Sequence, residues 1–262
     1  MCMARAAIII EQDPGLTVRS LIRYIRGFWP LITALVCTSQ ASGQAPFLVN
    51  DTTFLLREDK DTGYHAVFIA APSDTMWYER LAAPVGDMTR ERWVRLQLEA
   101  LDELGKRPVP ILPQSQPIEK DWVAVKRIGG EHFLYAPSDW GYHRRMQVGE
   151  KAVVTSGMEG AEAHVIVGGD GWVDGTYRLR CVSLVSRSMD PGRDTVDVVG
   201  HPLPGNDHLT LWTFRDSYGE STYELMTPLR YAPGFRVVVN HSRDRKQAEF
   251  GFDEAGPNWL QR

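Results

Sequence analysis

The stretch DWVAVKRIGGEHFLYAPSDWGYHRRMQVGEKAVVT, residues 121–155, decides the fold because it contains two successive β-hairpin patterns. In the first, Trp122–Ile128 and Glu131–Tyr135 flank a Gly-Gly pair, and in the second, Arg144–Val148 and Lys151–Thr155 flank a Gly-Glu pair. Two turn residues with glycine between β-rich runs are typical of a tight hairpin. We therefore expect four antiparallel strands here.

The same pattern continues towards the end of the chain. Ala163–Val167 and Trp172–Val185 flank Gly-Gly-Asp-Gly, and Leu209–Phe214 and Ser221–Met226 flank a polar turn. Apolar and polar residues alternate in three late segments, around Tyr177–Cys181, Phe235–Val239 and Ala248–Phe252. Because such strands have one buried face, a meander of them has to close on itself. The sequence predicts a mainly β fold whose antiparallel meander closes into a barrel or a sandwich.

The layout of this meander, over residues 121–252, resembles that of the lipocalin-like (calycin) barrels. Their first strand carries a Gly-x-Trp signature, whereas Trp122 follows Lys120-Asp121 in this chain. The resemblance implies an architecture, and one architecture serves many functions.

A β-hairpin and one amphipathic helix are expected before the meander. Strands are predicted at 47–57 and 64–70, and a helix at 87–105. At 100° per residue the predicted inner face of the helix carries six residues, with Gln97 interrupting it and Leu96 lying among the charges. The six are Trp93, Val94, Leu98, Ala100, Leu101 and Leu104. Four prolines make residues 108–120 an extended connector.

The N-terminus is typical of an export signal. Arg19, Arg23 and Arg26 precede the apolar run Phe28–Thr38, which is too short to span a bilayer and is followed by small residues. We expect residues 1–43 to be removed, although the true start could lie downstream. A buried helix over 20–37 and a lipid-modified Cys37 are the alternatives. The protein is thus expected to be exported, to the periplasm, cell envelope or exterior, without a membrane span after cleavage.

Composition and charge limit the class of protein. The 262 residues are 43% hydrophobic and 24% charged, which excludes wholesale disorder and a multi-span membrane protein. The net charge of −4 becomes −6 without the leader, and the basic residues are scattered, so a nucleic-acid partner is not expected. Cys181 is then the only thiol, and its position on an apolar face predicts a buried, unreactive side chain.

We divide the chain into a signal at 1–43, a hairpin and helix at 44–107, the connector at 108–120, and the β-domain at 121–262.

The segment 135–145 is the best candidate for ligand contact. It brings together aromatic faces and hydrogen-bond donors that suit a sugar ring, a lipid headgroup or a carboxylate. The candidate ligand-binding residues are Tyr135, Trp140, Tyr142, His143 and Arg144. The alternative is a β-turn whose aromatic rings enter the core and whose arginines are solvated.

Established catalytic and metal motifs are absent from the sequence. The segment 168–176 has Asp170 and Asp174 at the first and fifth positions of a calcium loop, but Trp172 and Cys181 occupy the third and twelfth positions, which excludes an EF-hand. His201 and His208 lie in a proline-containing loop without the spacing of a helical metal site. No serine elbow, phosphate loop or dinucleotide fingerprint occurs. We therefore expect no metal and no cofactor. A binding protein for a small apolar or amphipathic molecule is favoured over an enzyme. The alternatives are a secreted carbohydrate-active hydrolase with two inward carboxylates and a cell-envelope structural or protein-interaction module. The sequence leaves the oligomeric state open.

Overall fold

The structure is a computed structural model and describes ten segments of the chain. They are residues 47–49, 52–60, 63–71, 74–83, 86–109, 117–139, 143–157, 160–184, 195–242 and 250–260. All of them belong to one compact unit, Ala41–Arg262. The predicted export signal at 1–43 lies outside the described residues.

The described chain is mainly β, and the predicted hairpins are present. The strands are β1 (Phe47–Val49), β2 (Thr52–Lys60), β3 (Gly63–Ile69), β4 (Asp121–Ile128), β5 (Glu131–Ala136), β6 (Arg145–Val148), β7 (Ala152–Gly157), β8 (Gly160–Val173), β9 (Thr176–Ser183), β10 (Thr195–Leu203), β11 (Asn206–Asp216), β12 (Ser221–Pro228) and β13 (Arg236–Ser242). The helices are α1 (Thr75–Ala82) and α2 (Arg92–Glu103), with short 3-10 turns at Met88–Arg90, Leu229–Gly234 and Pro257–Leu260.

Eight antiparallel strands close into a barrel, which confirms the predicted fold class. Strands β6 to β12 pair in chain order, and β4 closes the ring by pairing with β12 on one side and β6 on the other. The closure removes both free edges of the meander, so every strand of the ring has two hydrogen-bonded neighbours.

Side chains fill the middle of the barrel. Trp212 packs edge-to-face against Trp122 at a centroid distance of 5.2 Å and against Tyr177 at 6.3 Å. Its ring lies over Gly200, where a Cβ would come within 3.1 Å of it. Cys181 belongs to the same cluster and is fully buried, as predicted. The side chains of this cluster therefore leave no space for a ligand in the middle of the barrel.

A second sheet, here called the side sheet, grows from β4. The second half of β4 leaves the barrel to pair with β5, and the order continues through β13, β3, β2 and β1. The pair of β5 and β13 is parallel, an arrangement that a simple meander does not contain. Helix α1 covers one face of the side sheet, where Leu81 is buried. The N-terminal hairpin and the C-terminal strand thus share one sheet, while the domain boundaries given above stay a prediction.

Helix α2 packs on the outside of the barrel. Val94 and Leu101 are buried as expected, but Trp93 and Leu104 are exposed, so their predicted inward position is wrong. Gln97, which interrupts the apolar face of the helix, contacts the barrel instead. Its amide donates to the carbonyl of Ala161 at 3.0 Å and accepts from the backbone N–H of Ala163 at 2.7 Å. The amide therefore pairs with β8 as a neighbouring strand would.

Three local predictions differ from the structure. The hairpin turn between β8 and β9 lies at Asp174-Gly175, because the Gly-Gly-Asp-Gly segment is a bulged part of β8. His201 and Pro202 lie on β10 instead of in a loop. The strand predicted around Phe250–Phe252 is absent from the described part of that segment, and the two rings instead cover a core cluster of the side sheet.

Candidate functional site

The structure places Tyr135 in the core of the side sheet, on the face away from α1. Its hydroxyl accepts a hydrogen bond from Asn240 Nδ2 at 2.9 Å, and its ring meets Phe252 at a centroid distance of 4.6 Å. Asn240 Oδ1 in turn lies 2.9 Å from Nε2 of His65. These contacts give Tyr135 a structural role in tying β5, β13 and β3 together.

His143 and its neighbour Arg145 hold the C-terminal end of α1. The Arg145 guanidinium donates to the carbonyls of Ala83 at 2.7 Å, of Arg80 at 3.1 Å and of Leu81. Its Nε donates to Nε2 of His143 at 3.0 Å. The last carbonyls of a helix carry partial negative charge, so a buried cation is well placed there. Burial, and then the charge of Arg145, lower the pKa of His143 to about 4, so this imidazole is neutral near pH 7.

Arg144 points in a different direction, towards one end of the barrel. Its guanidinium lies against Gly157, where a Cβ would come within 2.0 Å of Nη1, and its Nε is 3.9 Å from Glu224 Oε1. Trp140 and Tyr142 lie outside the described residues. The described members of the predicted site thus have separate surroundings: Tyr135 in the side-sheet core, His143 beneath α1, and Arg144 at the barrel end. Their role in ligand contact stays a prediction.

The end of the barrel beside Arg144 carries a group of inward polar residues, here called the barrel opening. Glu162 and His164 face inward because they pair with Thr155 and the buried Val153 of β7. Ser183 Oγ donates to Glu162 Oε1 at 2.7 Å, and His164 Nε2 is 3.6 Å from the same oxygen. Burial lowers the pKa of His164, whereas the Glu162 carboxylate opposes the shift. The side chains of Glu162, His164 and Ser183 together form a polar layer at this end of the barrel.

A second carboxylate faces the barrel opening from the opposite wall. Glu224 pairs with the inward Trp212, so it too points into the barrel. Its strand β12 is four strands from β8 in either direction around the ring, which places Glu224 across the barrel from Glu162. Arg144 joins the two sides, since it contacts Glu224 and lies on Gly157 at the hairpin that leads to Glu162.

The structure has a surface groove elsewhere, on the same face of the side sheet as α1 and beside that helix, here called the aromatic groove. Its volume is about 350 Å³. Strands β2, β3 and β13 and helix α1 supply the lining residues Thr52, Phe54, Tyr64, Phe68, Trp77 and His241. Alternate residues of a strand share a face, so these side chains stand side by side on one surface.

The rings of the aromatic groove pack against one another and against a cation. The Phe54 and Phe68 centroids are 5.8 Å apart, and those of Tyr64 and His241 are 6.2 Å apart. The guanidinium carbon of Arg57 is 5.6 Å from the Phe54 centroid and 6.0 Å from that of Tyr64. The groove therefore offers apolar ring faces with a positive charge at their edge.

Sequence reasoning missed this groove because its members come from distant parts of the chain. Phe54 and Phe68 belong to predicted strands, but Trp77 lies in a helix that was not predicted, and His241 was not among the predicted site residues. The pairing of β13 with β3 places His241 opposite Ala66 on this face, and no local pattern encodes a pairing between strands so far apart in the chain.

Comparisons with known protein families, curated proteins and solved structures gave no significant match to this chain. Within the segments that the structure describes, no three His, Cys, Asp or Glu side chains are grouped so that they could hold a metal ion. In the same segments, no helix combines the length and the hydropathy needed to cross a membrane.

Proposed function

We propose that this protein binds a small amphipathic molecule in the aromatic groove. The observation that carries the proposal is the open row of rings with Arg57 at its edge. Binding sites for small molecules are concave, mostly apolar, and contain a few polar groups that orient the ligand. A flat or ring-shaped apolar part would lie on Phe54 and Phe68, and an anionic or hydroxyl-bearing part would face Arg57 and His241.

The size of the groove limits the ligand and its affinity. At about 350 Å³ it lies near the lower end of the range for ligand sites, so it suits a one- or two-ring molecule. Loss of one ring face removes about 1.5–3 kcal/mol of apolar contact, which corresponds to roughly a 10- to 160-fold change in affinity.

The test is a fluorescence titration with 8-anilinonaphthalene-1-sulfonate, which combines two ring systems with an anion. We expect saturable binding that Phe54→Ala weakens by about tenfold or more and Arg57→Gln weakens less. Tyr218→Ala is the matched control because this exposed aromatic residue lies in a turn between β11 and β12, away from the groove. Equal affinity of all three variants and the parent protein would contradict the proposal.

A second candidate function, a carbohydrate-active hydrolase, has one observation in its favour. Glu162 and Glu224 face each other across the barrel opening, and paired carboxylates are the catalytic groups of most glycoside hydrolases. The test is release of nitrophenolate from a panel of nitrophenyl glycosides by the parent protein and by Glu162→Gln and Glu224→Gln. Hydrolysis lost in both variants but kept in Asp197→Asn, an exposed outer-face control, would support this function. Hydrolysis that survives both glutamine variants would rule out these carboxylates as catalysts.

We also propose that the protein works outside the cytoplasm, because residues 1–43 have the pattern of an export signal. N-terminal sequencing of the protein isolated from its host tests this directly. A mature chain that begins near Ser42 or Gln44 supports export, and an intact leader in all cell fractions contradicts it.

A further inference from the structure

Helix α2 presents an apolar stripe to solvent beside the face that packs on the barrel. Trp93, Leu96 and Leu104 are 52%, 48% and 41% exposed, and the half-buried Ala100 lies between them. At 100° per residue these four positions fall within an arc of about 80°. Large apolar side chains that adjoin one another on a surface are a usual sign of an interaction site.

One flank of this stripe carries opposite charges at its two ends. Arg92 lies at the beginning of α2 and Glu103 at its end, three helical turns apart on the same side of the stripe. Both are exposed. The flank is therefore positive at one end and negative at the other.

We propose that this stripe binds the same stripe of a second copy of the chain, with the two α2 helices antiparallel. A two-fold axis perpendicular to the two helices and lying in the contact surface makes them antiparallel and sets each flank beside its own counterpart. Arg92 of each copy then lies beside Glu103 of the other copy, so the dimer contains two contacts between opposite charges. The helix dipoles are also opposed, which favours this orientation over a parallel one.

The length of the helix sets the strength of the pairing. Twelve residues form a helix about 18 Å long, so the contact area is small beside the roughly 1,200 Å² of a stable complex. The dimer is therefore weak and forms at high protein concentration, on the order of 100 µM.

Sedimentation velocity of the purified protein over a concentration series tests the apolar part of the proposal. We expect the average mass to rise from monomer towards dimer, and Leu96→Glu to abolish the rise because it places a charge in the stripe. Tyr218→Glu, a charge at an equally exposed aromatic residue, is the control and should dimerise as the parent does. A parent protein that stays monomeric throughout, or a Leu96→Glu variant that dimerises normally, overturns the proposal.

A charge exchange tests the antiparallel geometry. Arg92→Glu sets two acids against each other, and Glu103→Arg sets two arginines against each other, so each variant alone should dimerise at least several-fold more weakly. An equimolar mixture should regain the parent affinity, because opposite charges then meet at both contacts of the mixed dimer. A mixture that associates no better than either variant alone overturns the antiparallel arrangement. Both substitutions are at exposed positions, so neither should affect folding.

Discussion

Replacing Arg145 with methionine should detach the end of α1 from the barrel. Arg145 is 8% exposed and joins β6 to three carbonyls at the C-terminal end of this helix. Methionine fills similar volume but cannot donate to any of them. The substitution therefore isolates the hydrogen bonds and the charge from the packing of the side chain.

The magnitude follows from the number of acceptors left without a partner. An unsatisfied buried acceptor costs about 1–3 kcal/mol, and the low end applies because a helix end partly reaches water. Three carbonyls then account for about 3 kcal/mol, and the lost interaction with the helix dipole adds about 0.5 kcal/mol. The free energy of unfolding should fall by about 3–4 kcal/mol. The cost of burying the guanidinium, which lowers the pKa of Arg145, offsets part of this and makes the figure an upper value.

Urea denaturation followed by circular dichroism measures this loss. Arg144→Met is the matched control, since Arg144 is exposed and its ion pair with Glu224 spans 3.9 Å, so less than about 1 kcal/mol is expected. The pKa of His143 should also rise in Arg145→Met, because the neighbouring positive charge is gone. Equal losses for Arg144→Met and Arg145→Met, or an unchanged His143 titration, would refute the reasoning.

Three further predictions concern the rest of the fold. Gln97→Leu leaves two buried backbone groups of β8 unpaired and should lower the free energy of unfolding by about 2–4 kcal/mol, measured by urea denaturation. Glu99→Gln, at an exposed position of the same helix, is the control and should change the free energy of unfolding by under about 0.5 kcal/mol. The folded protein keeps His143 neutral down to about pH 4, while the unfolded chain protonates it near pH 6.5, so stability is full above pH 6.5 and falls as the pH drops towards 4. The loss from this residue is at most about 3 kcal/mol, and the parent and His143→Gln should differ in the slope of stability against pH over that window. Burial raises the pKa of Cys181 to about 12, so this thiol should react with a disulfide reagent only at the rate of unfolding. Fast labelling of the native protein would contradict the position of Cys181 in the core.

Local pattern was sufficient to predict most of the barrel. Gly129-Gly130 form the turn that the sequence indicated, the turn at Gly149-Glu150 is longer than predicted because β7 begins at Ala152, and the alternation in β9 correctly places Tyr177 and Cys181 inside. Hairpins are encoded by short runs with a turn between them, so neighbouring residues carry the information. Strand β10 was missed because Gly200 and Pro202 interrupt its pattern.

The rest depends on contacts between distant residues. The apolar period of α2 assigned Trp93 to the core and counted Gln97 as an interruption, but β8 extends beyond the end of β9, and its backbone groups at Ala161 and Ala163 need hydrogen-bonding partners there. For the same reason the predicted site did not contain the aromatic groove. Tyr135 carries the right chemistry but is tied to Asn240 in the core, whereas Trp77 and His241 meet only after the side sheet has formed.

The central claim is that the aromatic groove binds an amphipathic ligand, and mapping the bound probe on the protein tests it most directly. Backbone amide shifts would be recorded by NMR during a titration with 8-anilinonaphthalene-1-sulfonate. We predict that the largest changes lie in β2, β3, the end of β13 and α1, around Phe54, Phe68, Trp77 and His241. Changes centred on the barrel opening around Glu162, or on the exposed stripe of α2, would contradict the claim.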